Sequence, residues 1–302
     1  MLMRSAPDLR LLFPTDFSDA CVRASRVIAQ LADVLQLDLT IMHAARPGAN
    51  ALAARRALDR FFTEAAQLAR CRRVLVETND PCRAISDLCA AASYDLLVAP
   101  DAGRLQPQRF LAGSIRARLL QRCTVPLWTA GGCLTGIDHS RRGLQTIACL
   151  VDFDDRPEAL LPQVTAFAQR FGARVQALAV LPPLDDGTIG EVAQSDVPLR
   201  PGAALTRIQE MFGGDAPVGV DIATGAQGRE LPRLLARCGA DLLFLGPRQS
   251  SQGPWRLRFS RQLDRLPCPV VCVGDVSGLT GRAFHRAVES AAIRRGAVAA
   301  IG

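Results

Sequence analysis

The chain runs through one order of elements twice, and that repeat limits its fold more than any other feature. In the first half, short apolar runs at residues 11–13, 37–43, 73–77, 95–99 and 125–128 alternate with helical patterns. Helices are predicted through Val22, Val27, Ile28, Leu31 and Leu35, over 49–69, over 81–92, and from Ile115 through Leu119 and Leu120. In the second half, runs at 145–151, 174–180, 218–222, 241–246 and 269–273 alternate with helical patterns at 157–171, 203–212 and 230–238. DLLVAP at 95–100 is answered by DLLFLG at 241–246, and Asp16-Phe17 by Asp152-Phe153, each just past the first strand of its half. Strands that alternate with helices make a parallel sheet covered on both faces. The expected fold is therefore α/β: two tandem, doubly wound domains, each a five-stranded parallel sheet. The boundaries drawn are 1–132 and 143–276, with a tail at 277–302. A charged, glycine-rich link at 131–143 separates the halves, and an acidic stretch with Pro and Gly at 181–198 interrupts the second.

Composition excludes several classes of function. A chain of 302 residues, 49% apolar and 22% charged, is globular and long enough for two cores. No apolar run approaches the roughly 18 residues a membrane span needs, and Pro14 and Asp16 interrupt the opening stretch where a secretory signal would stand. A cytoplasmic protein without membrane contact is expected. The net charge of +7 comes from 36 basic residues, all of them Arg. With no lysine there is no P-loop lysine, no Schiff base and no kinase strand lysine. The arginines are scattered and there is one tyrosine, which argues against nucleic acid as a partner. Ten cysteines form no C-x-x-C pair, and His43, His139 and His285 are far apart, so neither a metal cluster nor a redox dithiol is expected. The cysteines read as small core residues of a reduced compartment.

The stretch from Asp95 to Ser114 carries the candidate chemistry. It reads as a buried strand, then a loop rich in Gly, Pro, Gln and Arg, then Gly113-Ser114 at the start of a helix. The first N–H groups of a helix lack internal partners and its dipole favours negative charge, so this geometry suits an anion. The same stretch also fits an ordinary strand-to-helix connection with a serine cap.

These residues resemble the universal stress protein family. Its opening signature, a strand ending in P-T-D-F-S, stands here as Pro14-Thr15-Asp16-Phe17-Ser18. Its nucleotide loop, G-x-x-G, nine residues, then G-[S/T], is matched by Gly103, residues 104–112, and Gly113-Ser114. The resemblance covers residues 8–130 and 144–275, and implies two Rossmann-like domains of the adenine nucleotide alpha hydrolase type. It also implies a stress-response protein binding ATP or AMP in the first half. In that case Asp16 accepts hydrogen bonds from the adenosine part, and Ala44 sits by the adenine edge. Gly103, Gly113 and Ser114 donate to ribose and phosphates. Arg104 and Arg109 either charge-pair with phosphates or are solvated loop arginines.

Two departures from the pattern weaken that implication. Pro100 replaces the first glycine of the loop and has no N–H to donate. In the second half Gly246 is kept, but Gln249 and Phe259 replace the next two glycines before Ser260, so that site is expected to be degenerate. A scaffold of the same fold, binding no nucleotide, is the alternative. No catalytic constellation emerges, so no enzyme is expected. The last strand of each half resembles the family's dimerising edge, which implies an intrachain pseudo-dimer, with pairing between two chains in competition or in addition.

Overall fold

Strand β1 (Leu9–Pro14) shows how the sequence builds its layers. Successive side chains of a strand point to opposite faces. Leu11 and Phe13 enter one core cluster, while Leu12 enters another, and all three are fully buried. Helix α1 (Asp19–Val34) covers the first face with Ala24, Ile28 and Leu31. The computed structural model describes residues 9–67, 70–100, 115–123, 125–129, 144–153, 157–183, 199–212, 218–246 and 266–273. The link at 131–143, most of 181–198 and the tail at 277–302 lie outside them.

The first half continues with β2 (Leu37–Ala45), α2 (Ala51–Arg60), β3 (Arg70–Glu77), α3 (Pro81–Ala91), β4 (Leu96–Val98), α4 (Ile115–Arg122) and β5 (Leu127–Thr129). The second half comprises β6 (Thr146–Leu150), α5 (Pro157–Phe171), β7 (Arg174–Leu181), α6 (Pro201–Met211), β8 (Val218–Thr224), α7 (Gln227–Cys238), β9 (Leu242–Leu245) and β10 (Val270–Cys272). The strand order is β3-β2-β1-β4-β5-β10-β9-β6-β7-β8. Pairing is parallel within each half. At the centre β5 and β10 pair antiparallel, Trp128 opposite Val271, so ten strands form one continuous sheet. Helices α1, α2, α5 and α6 lie on one face over a single apolar cluster that runs through both halves. On the other face α3 and α4 pack on the first half and α7 on the second.

The halves also share a device that pins β1 to β4 and β6 to β9. Asp95 accepts from the Arg10 N–H at 2.8 Å, while its own N–H donates to the Arg10 carbonyl. Asp241 accepts from the N–H groups of Gln145 and Thr146 at 2.8 and 2.9 Å and donates to the Thr146 carbonyl. The repeated DLL of the sequence is thus a strand preceded by its own anchoring carboxylate.

Three boundaries differ from expectation by three residues or more. The helix expected over 49–69 ends at Arg60, and a separate 3-10 turn follows at Thr63–Gln67. Phe61 and Phe62 turn inward there, Phe62 with φ of +51°, and the Arg73 guanidinium collects the carbonyls of Leu58, Phe61 and Phe62. That tertiary contact overrides a continuous helical pattern. Strand β3 starts at Arg70 rather than residue 73, since arginines are tolerated on an edge strand. Helix α7 starts three residues early, at Gln227 rather than 230, and holds Pro232 within it.

Candidate functional site

A sheet ordered 3-2-1-4-5 reverses its winding between β1 and β4, and in open α/β sheets ligands bind at such a switch point, beyond the carboxyl ends of the strands. Asp16 stands at that point, exposed, two residues past β1. Two consecutive turns fix it. The Phe17 N–H donates to Thr15 Oγ1 at 3.0 Å, and the Ser18 N–H donates to Asp16 Oδ1 at 3.1 Å. Phe17 adopts φ of +63°, which few non-glycine residues do, and this bends the chain back toward the carboxylate. The Cys21 thiol of α1 donates to the same Oδ1 at 3.3 Å, and burial pushes that thiol up from its ordinary range. Ser18 stands at the N-cap position of α1, and its side chain makes no capping hydrogen bond.

The neighbouring wall comes from the end of β2. The Thr15 N–H donates to the Met42 carbonyl at 2.8 Å, and His43 Nδ1 donates to the Thr15 carbonyl at 2.8 Å. The donor must be the histidine, because a carbonyl only accepts. The Phe17 ring lies 4.3 Å from the His43 ring and 5.6 Å from Phe61, edge to face with the latter. Ala44 is half-buried at the end of β2, opposite Val76 of β3. The structure thus brings Asp16 and Ala44 to one end of the sheet, with Pro100 just past β4 at the same end. Gly103, Arg104, Arg109, Gly113 and Ser114 lie outside the described residues, as do Gln249, Phe259 and Ser260.

His43 is the site residue that sequence reasoning passed over. Its only signal was a polar side chain late in an apolar strand, LDLTIMH, and that gives no hint of a partner in the β1 turn.

The second half repeats the frame with other side chains. The Val151 N–H donates to the Leu178 carbonyl at 2.8 Å, as Thr15 does to Met42. This aligns Asp152 with Asp16, Phe153 with Phe17, Ala179 with His43 and Val180 with Ala44. Val151 has no hydroxyl to brace the turn. Phe153 meets the Arg207 guanidinium of α6, 5.3 Å from its centroid, where Phe17 meets His43 and Phe61.

Comparison with known proteins follows the same division. The universal stress protein family profile matches residues 9–130, from β1 through β5. Residues 9–130 are thus similar to the universal stress protein family. A universal stress protein from Archaeoglobus fulgidus DSM 4304 is 16% identical, with a TM-score of 0.64 over 88% of this chain and 96% of its own. A protein of Pseudomonas aeruginosa UCBPP-PA14, assigned as a universal stress protein, is 14% identical, with a TM-score of 0.58 over 94% and 97%. Both alignments extend through both halves, so the tandem arrangement of this fold recurs. A universal stress protein solved in complex with cAMP is 27% identical over 41% of this chain and 95% of its own, with a TM-score of 0.33. A comparison with curated proteins gave no match. Among the described residues, no group of three or more His, Cys, Asp or Glu is placed to hold a metal ion. No described helix is long and apolar enough to cross a membrane.

Proposed function

We propose that the chain is a cytoplasmic, non-enzymatic stress-response regulator that binds an adenine nucleotide, ATP or AMP, in the first-half crevice. One observation carries this reading: an exposed carboxylate, Asp16, held by the Ser18 N–H and the Cys21 thiol at the switch point of the sheet. A fixed acceptor there suits ribose or adenine donors, and the small Ala44 leaves room for a flat ring. Gly103, Gly113 and Ser114, matched by spacing, supply donors for ribose and phosphates, and Arg104 supplies charge. In this reading the second half takes no nucleotide, because Gln249 and Phe259 replace its loop glycines; Phe153 there meets Arg207 instead of a histidine.

The same reading treats 1–132 and 143–276 as two domains and the β5–β10 pairing as an intrachain pseudo-dimer. A homodimer would then use the outer edges β3 and β8 or a helix layer, since β5 and β10 satisfy each other.

Isothermal calorimetry of the full chain with ATP and with AMP tests the reading, alongside Asp16→Ala and Gly113→Phe. Heat from the intact protein that both variants abolish is the expected result. A flat titration by the intact protein removes it and leaves the alternative, a protein–protein scaffold, which Pro100 in place of a donating glycine favours. Phosphate release from ATP at a steady catalytic rate would contradict the non-enzymatic part.

A further inference from the structure

Sequence spacing shows no dithiol, yet the fold assembles one between α3 and α4. Cys82, Ser86 and Cys89 recur at i, i+4 and i+7 along α3, the spacing that puts side chains on one helix face. Cys123 follows the last turn of α4, its N–H bonded to the Leu119 carbonyl at 2.8 Å. Its sulfur lies 3.5 Å from Ser86 Oγ, and the Cys89 thiol, one turn further along the same face of α3, is its other polar neighbour. Ser86 Oγ in turn donates to the Cys82 carbonyl at 2.9 Å. Because the Ser86 hydroxyl donates to the Cys82 carbonyl, the Cys123 thiol in its protonated state donates to Ser86.

We propose that Cys89 and Cys123 form a reversible disulfide, with Cys123 as the sulfur that reacts with a peroxide and Cys89 as the resolving thiol. Once Cys123 loses its proton, the Ser86 hydroxyl turns to donate to it, so the thiolate has two donors. Those hydrogen bonds, Cys89's first, pull the Cys123 thiol down to about 7, whereas the same contact and burial push the Cys89 thiol up. The half-buried Cys123 admits a small oxidant, while Cys89, 8% exposed, is reached through Cys123. Cys149 shows the contrast: fully buried without such donors, it is pushed up to about 12.

The chemistry balances with hydrogen peroxide as oxidant. The Cys123 thiolate attacks one peroxide oxygen; the O–O bond breaks, a sulfenic acid forms, and the departing hydroxide takes a proton to become water. The Cys89 sulfur then attacks the sulfenic sulfur; the S–O bond breaks, the S–S bond forms, and the Cys89 proton leaves with the oxygen as a second water. Two thiols lose two electrons and one peroxide gains them. A dithiol reductant reverses the step by exchange. The bond ties the end of α4 to α3, and it stands independently of the nucleotide reading.

The test uses the full chain carrying Cys133→Ser, because Cys133 shares tryptic peptide 123–141 with Cys123. After peroxide treatment and digestion without reductant, mass spectrometry is expected to find peptide 84–104 linked to 123–141, at least tenfold above any other link and lost with dithiothreitol. Cys123 left free, or joined chiefly to another cysteine, overturns the proposal. In Cys89→Ala the sulfenic acid has no resolving partner, so dimedone should label Cys123 severalfold more than in the parent; equal labelling also overturns it.

Discussion

Trp128 of β5 and Phe167 of α5 meet edge to face, ring centroids 6.3 Å apart, one ring from each half of the chain. Phe167 also meets Phe171 at 5.0 Å and Phe244 at 5.3 Å. Among the described residues the seam between β5 and β10 pairs three residues, and these rings add an apolar contact between the halves beside it. Replacing Phe167 by Ala removes a buried ring and is expected to cost about 3–5 kcal/mol. Urea denaturation in a Trp255→Phe background, followed by Trp128 fluorescence and by circular dichroism, should then give transitions that no longer coincide. Coincident curves at an unchanged midpoint would show that the halves cohere by other means.

Asp95 is 7% exposed and holds the start of β1 by the Arg10 N–H. Asp95→Ala leaves that partly buried donor without its acceptor, for an expected loss of about 1 kcal/mol. Asp95→Asn retains an acceptor oxygen and should recover part of it. Denaturant midpoints of the three proteins check the order wild type, Asn, Ala.

Thr129 lies fully buried at the seam, opposite Val270, and among the described residues its hydroxyl has no hydrogen-bond partner. An unpaired buried hydroxyl costs about 1–3 kcal/mol, and valine has the same shape without it. Thr129→Val should therefore raise the thermal midpoint, whereas most core substitutions lower it.

Asp80 caps α3 and faces two arginines of α4. The Arg83 N–H, then the Arg118 guanidinium at 2.8 Å, with Arg122 at 3.7 Å, hold its carboxyl below the ordinary 3.8. The folded form thus binds the proton more weakly than the unfolded form. Its stabilising contribution is complete above pH 3.8 and is lost as pH falls through the lower folded value. Asp80→Asn should flatten the acid limb of the stability curve below pH 4 and lower the plateau near neutrality. An unchanged acid limb would place the titration elsewhere.

If the first-half crevice holds a nucleotide, Pro100→Gly restores an N–H where a phosphate or ribose oxygen is expected. A hydrogen bond to a charged group contributes roughly 1.5–3 kcal/mol, so ATP affinity should rise about tenfold or more. Calorimetry of the variant beside the wild type measures it, and equal affinities would remove Pro100 from the account.

Much of the architecture was legible in local pattern. The alternation of Leu11, Leu12 and Phe13, the two DLL runs and the Asp-Phe pairs rest on periodicity and short-range turns, which act within a few residues of chain. The helix expected to run to residue 69 was not legible, because the Arg73 guanidinium that holds the carbonyls of its last turn comes from the next strand. His43 escaped for the same reason: its partner, the Thr15 carbonyl, lies 28 residues away.

Order of elements, their twofold repetition and the position of Asp16 after β1 are properties of the sequence alone, since each follows from which residues neighbour which along the chain. That two five-stranded halves join into one sheet, that Trp128 meets Phe167, and that Cys89 meets Cys123 were decided only in three dimensions. Such contacts depend on how whole elements pack, and no spacing along the chain specifies them.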